Sequence, residues 1–192
     1  GKRLRPMLVL LGYGIAKEDV ESIIDPALTV EIFHNFTLMH DDIMDEAPIR
    51  RGQPTVHEKW NNTVAILSGD TMMVKAYDQL LTGPKESLPT ALQKFNKCAV
   101  EVCEGQQLDM NYEEFETVTE AQYIDMIRLK TAVLLGFSLE YGGLLAGMDE
   151  TQLSQLFKIG EKAGIGFQLM DDLLDVYGDK AKFGKQVGGD IV

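Results

Sequence analysis

One five-residue acidic pattern occurs twice, as Asp41-Asp42-Ile43-Met44-Asp45 and Asp171-Asp172-Leu173-Leu174-Asp175, each time within apolar sequence. Phe36-Thr37-Leu38-Met39-His40 precedes the first copy and Gly164-Ile165-Gly166-Phe167-Gln168-Leu169-Met170 the second. A solvated acidic face is not flanked so densely by Leu, Met and Phe. Both segments read as helices, on which residues i and i+4 share a face and i+1 lies about 100° away. Each motif therefore presents two stacked carboxylates with a third to the side. If the two helices face each other, six acidic groups converge on one space. Carboxylates so crowded repel and take up protons unless hard cations share them. The chemistry that fits such a site is the handling of a diphosphate through Mg²⁺.

The remaining pattern is helical almost throughout. Pro6 suits a first helical position and leads a helix over 7–16. Asp25-Pro26 gives an N-cap followed by N1, opening a helix that runs to about Glu46. Pro48, Gly52 and Pro54 make 47–62 a loop. A helix over 63–81 ends at Gly83-Pro84, and Pro89 opens the next, to about Met110. Thr117 with Glu120, or Thr119 with Gln122, supplies a capping box for a helix through Leu145. The last helix covers 151–177 and stops at Gly178. No segment reads as a strand, so the fold class is all-α, an antiparallel helix bundle. Leu67, Met72, Met73, Leu80 and Leu81 read as core, and Trp60 as a packing anchor.

A chain of 192 residues, 45% hydrophobic, can bury a core as one domain. Its net charge of −12 argues against nucleic-acid or anionic-membrane partners. An acidic protein still binds anions where metal ions reverse the local sign. Cys98 and Cys103 stand five apart, a spacing that suits neither a zinc clamp nor a redox pair. Reduced thiols and a cytoplasmic location are expected. The longest apolar run, 132–148, carries Glu140 and several glycines, and it falls short of a ~20-residue membrane span. A buried bundle helix is the better reading. The opening Gly1-Lys2-Arg3 and the closing Gly188-Gly189-Asp190-Ile191-Val192 suggest a single domain, 1–192, incomplete at both ends.

Cations accompany the acids. Arg50-Arg51 follows the first motif, Lys2, Arg3 and Arg5 form a second group, and Lys130-Thr131 and Lys185 two more. Together they suit a second anion pocket, in which Arg makes bidentate contacts to phosphate oxygens. His34, seven residues before Asp41, lies two helical turns back on the same face.

With GKRLRP, LMHDDIMDEAPIRRGQPTVH, GQQLD, LKTAVL and GFQLMDDLLDVYGD followed by FGKQVGGD, the chain resembles the trans-isoprenyl diphosphate synthases, or polyprenyl synthetases, over nearly its whole length. The resemblance implies an isoprenoid-synthase-type bundle around a central cavity and, commonly, a homodimer. It implies that Asp41, Asp42, Asp45, Asp171, Asp172 and Asp175 bind Mg²⁺, three ions with substrate present, and so hold an allylic diphosphate. Arg50, Lys130, Lys185 and Gln168 resemble the direct contacts to that diphosphate. Lys2, Arg5, His34 and Arg51 match the isopentenyl diphosphate pocket, while Gln106 and Thr131 resemble residues lining the reaction centre. The implied reaction is a head-to-tail condensation that releases pyrophosphate. The resemblance also implies a basic segment and further helices after the second motif, which this chain lacks. Gly184 to Val192 is expected to be a flap over bound diphosphate.

Phe36 and Thr37 precede Asp41 by one helical turn, and Phe33 by two, so they are expected to floor the cavity beneath the metal site. An aromatic floor opposes longer prenyl tails sterically. By family analogy this goes with C15 or C20 products, and the two-residue gap in the first motif leans toward C20. Three other classes compete. A terpene cyclase has no need of a second diphosphate pocket. A non-catalytic or regulatory subunit of a heteromeric prenyl synthase is expected to have lost acidic ligands. A di-iron carboxylate bundle requires paired Glu-x-x-His motifs, and only Glu31-Ile32-Phe33-His34 has that form.

Overall fold

The computed structural model describes residues 2–177; Lys185, the stop at Gly178 and the expected flap lie outside the described residues. The chain folds into α1 (Leu4–Gly14), α2 (Ile24–Met44), α3 (Val56–Lys59), α4 (Asn62–Leu80), α5 (Leu88–Tyr112), α6 (Glu120–Ile127), α7 (Val133–Leu145) and α8 (Glu150–Tyr177). A 3₁₀ turn, Val20–Ile23, runs straight into α2, so Ile23 takes the cap and Asp25-Pro26 falls in the first turn. Proline is tolerated there because the N–H it lacks has no intrahelical partner. Pro6 and Pro89 likewise sit in the first turns of α1 and α5. Of the two candidate capping boxes, the one that forms joins Thr119 to Gln122.

Three further features depart from the sequence reading, the first being that the short helix α3 lies inside the expected 47–62 loop. The expected loop after α2 contains a hairpin in which β1 (Ile49–Arg50) pairs antiparallel with β2 (Gln53–Pro54). Arg51 at φ 53° and Gly52 at φ 76° make the two-residue turn, whose left-handed positions match strand twist. Arg51 is an unusual residue there and is held in a conformation that disfavours a side chain. The expected continuous helix from 119 to 145 is interrupted by a π-helical segment, Arg128–Ala132.

The core is aromatic at its centre. Phe95 lies edge-on to Phe33, with ring centroids 5.3 Å apart, and near Phe137 at 5.7 Å; Phe137 stacks on Tyr141 at 5.3 Å. The apolar run predicted as a bundle helix is α7, buried along almost all its length. Its Glu140 is paired with Lys94 at 2.8 Å. No described helix is long and apolar enough to cross a membrane. Among the residues expected in the core, Leu80 is fully buried, whereas Leu67 and Leu81 are 61% and 60% exposed. Trp60 is also mostly exposed, its ring under the Lys59 ammonium at 4.6 Å. Helical period alone cannot separate a core face from an apolar outer face.

Tight backbone approaches fix the π segment. A Cβ on Gly105 of α5 would stand 2.2 Å from the Lys130 backbone nitrogen. One on Gly164 of α8 would stand 2.6 Å from the Ala132 Cα. Lys130 and Thr131 are thereby clamped between the helix that carries GQQLD and the helix that carries the second acidic motif.

Candidate active site

The first motif occupies the last turn of α2. Asp42 is buried and accepts a hydrogen bond from Arg50 Nε at 2.6 Å, which the hairpin folds back to meet it. Asp41 is half-buried, and its carboxyl is pushed up to about 6 by burial, with Asp45 and Asp42 adding to the rise and Lys130 and Arg50 opposing it. Asp45, at the C-cap of α2, is raised as well, by lost solvation and by Asp109 and Glu113, against Lys130 and Arg50. Lys130 donates to Asp109 of α5. Burial pulls the Lys130 ammonium down, but Asp109, Asp41 and Asp45 more than offset it and leave it raised. Lys130 therefore remains cationic beside the first motif.

Its neighbour Thr131 serves the second motif. Thr131 Oγ1 donates to Gln168 Oε1 at 2.9 Å, and Gln168 Nε2 donates to Asp172 Oδ1 at 2.8 Å. The Tyr123 hydroxyl donates to the other oxygen, Oδ2. Burial and the Asp172 carboxylate push the Tyr123 phenol up, so it stays a proton donor. Asp171 lies on the exposed side of α8, while Asp175 is buried and its Oδ2 has no hydrogen-bond partner among the described residues. Two consecutive residues of one π segment thus address the two acidic motifs. π-Helical turns recur at functional sites, where they redirect side chains that a regular helix would fan evenly.

A third group is cationic. Burial, followed by Arg5, Arg51 and Arg50, pushes His34 down to about 3, so its imidazole is neutral over the ordinary pH range. Arg5 is itself lowered to about 10 by burial, with Arg51 adding and Glu31 opposing. Arg5 Nε is buried without a hydrogen-bond partner among the described residues. Guanidiniums gathered around a neutral imidazole form an anion pocket. Lys2 is exposed just ahead of α1. Arg3, at φ 55°, turns its guanidinium onto Glu31 rather than into the pocket.

Between α2 and α5 lies a cavity of about 140 Å³, with Asp41 and Lys130 on its wall together with Phe36, Thr37, His40, Cys103, Gln106 and Met110. Both polar atoms of the Gln106 side chain are buried without partners among the described residues. Phe36 packs edge-on to His40 at 4.8 Å and lies 5.6 Å from Phe33. Phe33 is fully buried in the core behind Phe36 and does not line the cavity.

The expected gathering of six carboxylates is not a preformed cluster. Among the described residues, no three acidic, His or Cys side chains stand close enough to hold a metal ion. Lys130 interacts with Asp41 and Asp45 of the first motif, and Thr131 reaches Asp172 of the second through Gln168. The donor set nonetheless fits Mg²⁺, which takes one or two carboxylates, keeps several waters and completes its shell with phosphate oxygens. Asp109 and Tyr123 are site residues that the sequence reading did not single out. Asp109 closes the GQQLD pattern, and Tyr123 lies seven residues, two turns, before Lys130.

An all-α bundle that carries paired aspartate motifs, the first beside a cavity with Lys130 on its wall, has the isoprenoid synthase fold. The chain matches the family described as Polyprenyl synthetase over residues 1–192. It therefore belongs to the polyprenyl synthetases, the trans-isoprenyl diphosphate synthase family, and its likeness is to short-chain members. It is 45% identical to a geranylgeranyl pyrophosphate synthase of Geoglobus acetivorans, across 100% of this chain and 60% of that protein. It is 42% identical to a short chain isoprenyl diphosphate synthase of Methanocaldococcus jannaschii, across 100% of this chain and 58% of that one. A crystal structure of a geranylgeranyl pyrophosphate synthase superposes with a TM-score of 0.95 at 46% identity, covering 100% of this chain and 58% of the other. The chain thus spans about 60% of the length of the relatives it matches.

Proposed function

We propose that this protein catalyses the Mg²⁺-dependent head-to-tail condensation of isopentenyl diphosphate with an allylic diphosphate, forming a short-chain prenyl diphosphate of C15 to C20 and releasing pyrophosphate. The observation that carries the proposal is the π segment, whose Lys130 faces the first acidic motif while Thr131 is bonded through Gln168 to the second.

In this reading Asp41, Asp42, Asp45, Asp171, Asp172 and Asp175 hold the metal, with Arg50, Lys130, Gln168 and Gln106 against the allylic diphosphate. Lys185 joins them on its sequence position alone. When bound, Mg²⁺ supplies Lewis-acid stabilisation of the departing diphosphate. Lys130 and Arg50 are each occupied by a carboxylate, Asp109 and Asp42, and exchange it for phosphate oxygens as the substrate enters. The C1–O bond of the allylic substrate breaks and its electron pair leaves with pyrophosphate. Lys130 and Arg50 stabilise that charge, an effect worth most where water is excluded. Lys2, Arg5, His34 and Arg51 hold isopentenyl diphosphate so that its double bond attacks C1. The proton lost from the new allyl unit goes to the departing pyrophosphate. The tail grows along the cavity toward Phe36 and Thr37, with Phe33 buttressing the floor from the core.

A homodimer in the cytoplasm completes the proposal. Leu67 and Val74 of α4 and Leu81 at its C-cap repeat at seven-residue spacing and are each about 60% exposed, an apolar stripe suited to a second copy. Both cysteines are free thiols.

The test is a product assay with Mg²⁺, labelled isopentenyl diphosphate and dimethylallyl, geranyl or farnesyl diphosphate in turn, with an EDTA control. Dephosphorylated products are sized by chromatography. A Mg²⁺-dependent C15 or C20 alcohol is expected. Hydrocarbon formed without isopentenyl diphosphate would indicate a terpene cyclase, and no consumption of either substrate a regulatory subunit.

A further inference from the structure

We infer that Tyr123 is a positioning residue for the second acidic motif, its phenol fixing the Asp172 carboxylate in the orientation from which it engages a metal-bound diphosphate. The inference rests on the function proposed above. It extends that proposal to an uncharged residue outside both motifs and every cation group.

Both Asp172 oxygens are taken by neutral donors, Tyr123 at Oδ2 and Gln168 at Oδ1, the latter at 2.8 Å. Gln168 is oriented in turn, because its Oε1 accepts from Thr131 Oγ1 at 2.9 Å. A carboxylate held at both oxygens loses its rotamer freedom before any ligand arrives, which lowers the entropic cost of binding. Tyr123 is well placed to impose this. It sits in the first turn of α6, directly after the capping box, and its backbone N–H donates to the Thr119 carbonyl at 3.0 Å.

The first motif offers a contrast. Its middle aspartate, Asp42, is held by Arg50 Nε at 2.6 Å, and a guanidinium neutralises the charge it orients. A phenol and an amide orient Asp172 and leave its negative charge whole for a cation. Groups that hydrogen-bond to metal-binding side chains in this way typically account for about 10–100-fold in metal affinity or activity.

Tyr123→Phe removes the hydroxyl and keeps the ring. Inorganic pyrophosphate binding with and without Mg²⁺ is measured by calorimetry for wild type, Tyr123→Phe and Asp172→Asn, and KM is measured for each substrate. Wild type is expected to show a Mg²⁺-dependent component of pyrophosphate binding above whatever the Arg5, His34 and Arg51 pocket binds without metal, and Tyr123→Phe to weaken that component by about tenfold. The KM for the allylic diphosphate should rise, while that for isopentenyl diphosphate stays unchanged. If Asp172→Asn weakens binding but Tyr123→Phe matches wild type, the Tyr123 assignment is overturned and the proposed function stands. Equal rises in both KM values also overturn it, because general loosening of the fold would move both pockets. Absence of Mg²⁺-dependent pyrophosphate binding in wild type overturns the assignment and the proposed function together.

Discussion

His34 sits among Arg5, Arg51 and Arg50, and burial together with those charges holds its imidazole down to about 3. In the unfolded chain a histidine titrates near pH 6.5. The folded value therefore lies below the unfolded one. Above about pH 6.5 neither state is protonated and the difference costs nothing. As pH falls from there toward 3, the unfolded chain binds a proton that the folded protein refuses, and stability drains away; below about 3 the loss levels off. Taking about 1.36 kcal/mol per pH unit, the penalty between pH 7 and pH 5 is about 2 kcal/mol. Other groups titrate over the same window, so the comparison is with His34→Gln, which removes this titration and keeps a polar side chain. Urea unfolding of both proteins at pH 7 and pH 5 should show wild type losing about 2 kcal/mol more than the variant. Parallel losses would refute the picture of an imidazole hemmed in by guanidiniums. A diphosphate in the same pocket should offset Arg5 and Arg51, raise the His34 value and narrow the gap between the two proteins.

Phe36→Ala should lengthen the product without abolishing turnover, read by sizing the dephosphorylated alcohols; unchanged length would remove Phe36 from the floor. Gly105→Ala sets a Cβ 2.2 Å from the Lys130 nitrogen, where only backbone can give way. It should cost about 1–3 kcal/mol in urea unfolding and lower turnover, since the clash displaces the residue that faces Asp41. Wild-type stability would mean that α5 and the π segment do not touch as described. Replacing Leu67 and Leu81 together with Glu should leave the melting temperature nearly unchanged, because both side chains are mostly exposed, and should shift sedimentation from dimer to monomer. A variant that still sediments as a dimer would place the interface elsewhere.

Much of the bundle was legible because its boundaries are written in local chemistry. The Thr119 box opens α6 and Pro89 marks the first turn of α5, as read, whereas the Asn61 cap of α4, which accepts from the Val64 N–H at 2.9 Å, was not singled out. The acidic motifs and the cation groups stood out by residue type and spacing, while the parts given to Arg50 and Lys130 came from the family resemblance. What escaped was set by tertiary contact or by pieces too short to have a period. Strands of two residues carry no alternation, so the hairpin that returns Arg50 to Asp42 could be suspected only from Arg51-Gly52. Leu67 and Leu81 looked like core because an exposed apolar stripe has the same period as one facing the interior.

The π segment is the most instructive of these misses. Nothing in Arg128-Leu129-Lys130-Thr131-Ala132 favours an i→i+5 turn, and Leu and Ala would continue an α-helix. Its cause lies in the neighbours: Gly105 and Gly164 admit its backbone within van der Waals contact on two sides, and larger residues there would force the helices apart. The widened turn then lets successive side chains serve different walls, Lys130 meeting Asp109 and Thr131 meeting Gln168. Two glycines on other helices thus couple the acidic motifs through one turn of chain. In the proposed function, that coupling is what would let a site whose described carboxylates form no cluster of their own present both motifs to a single diphosphate.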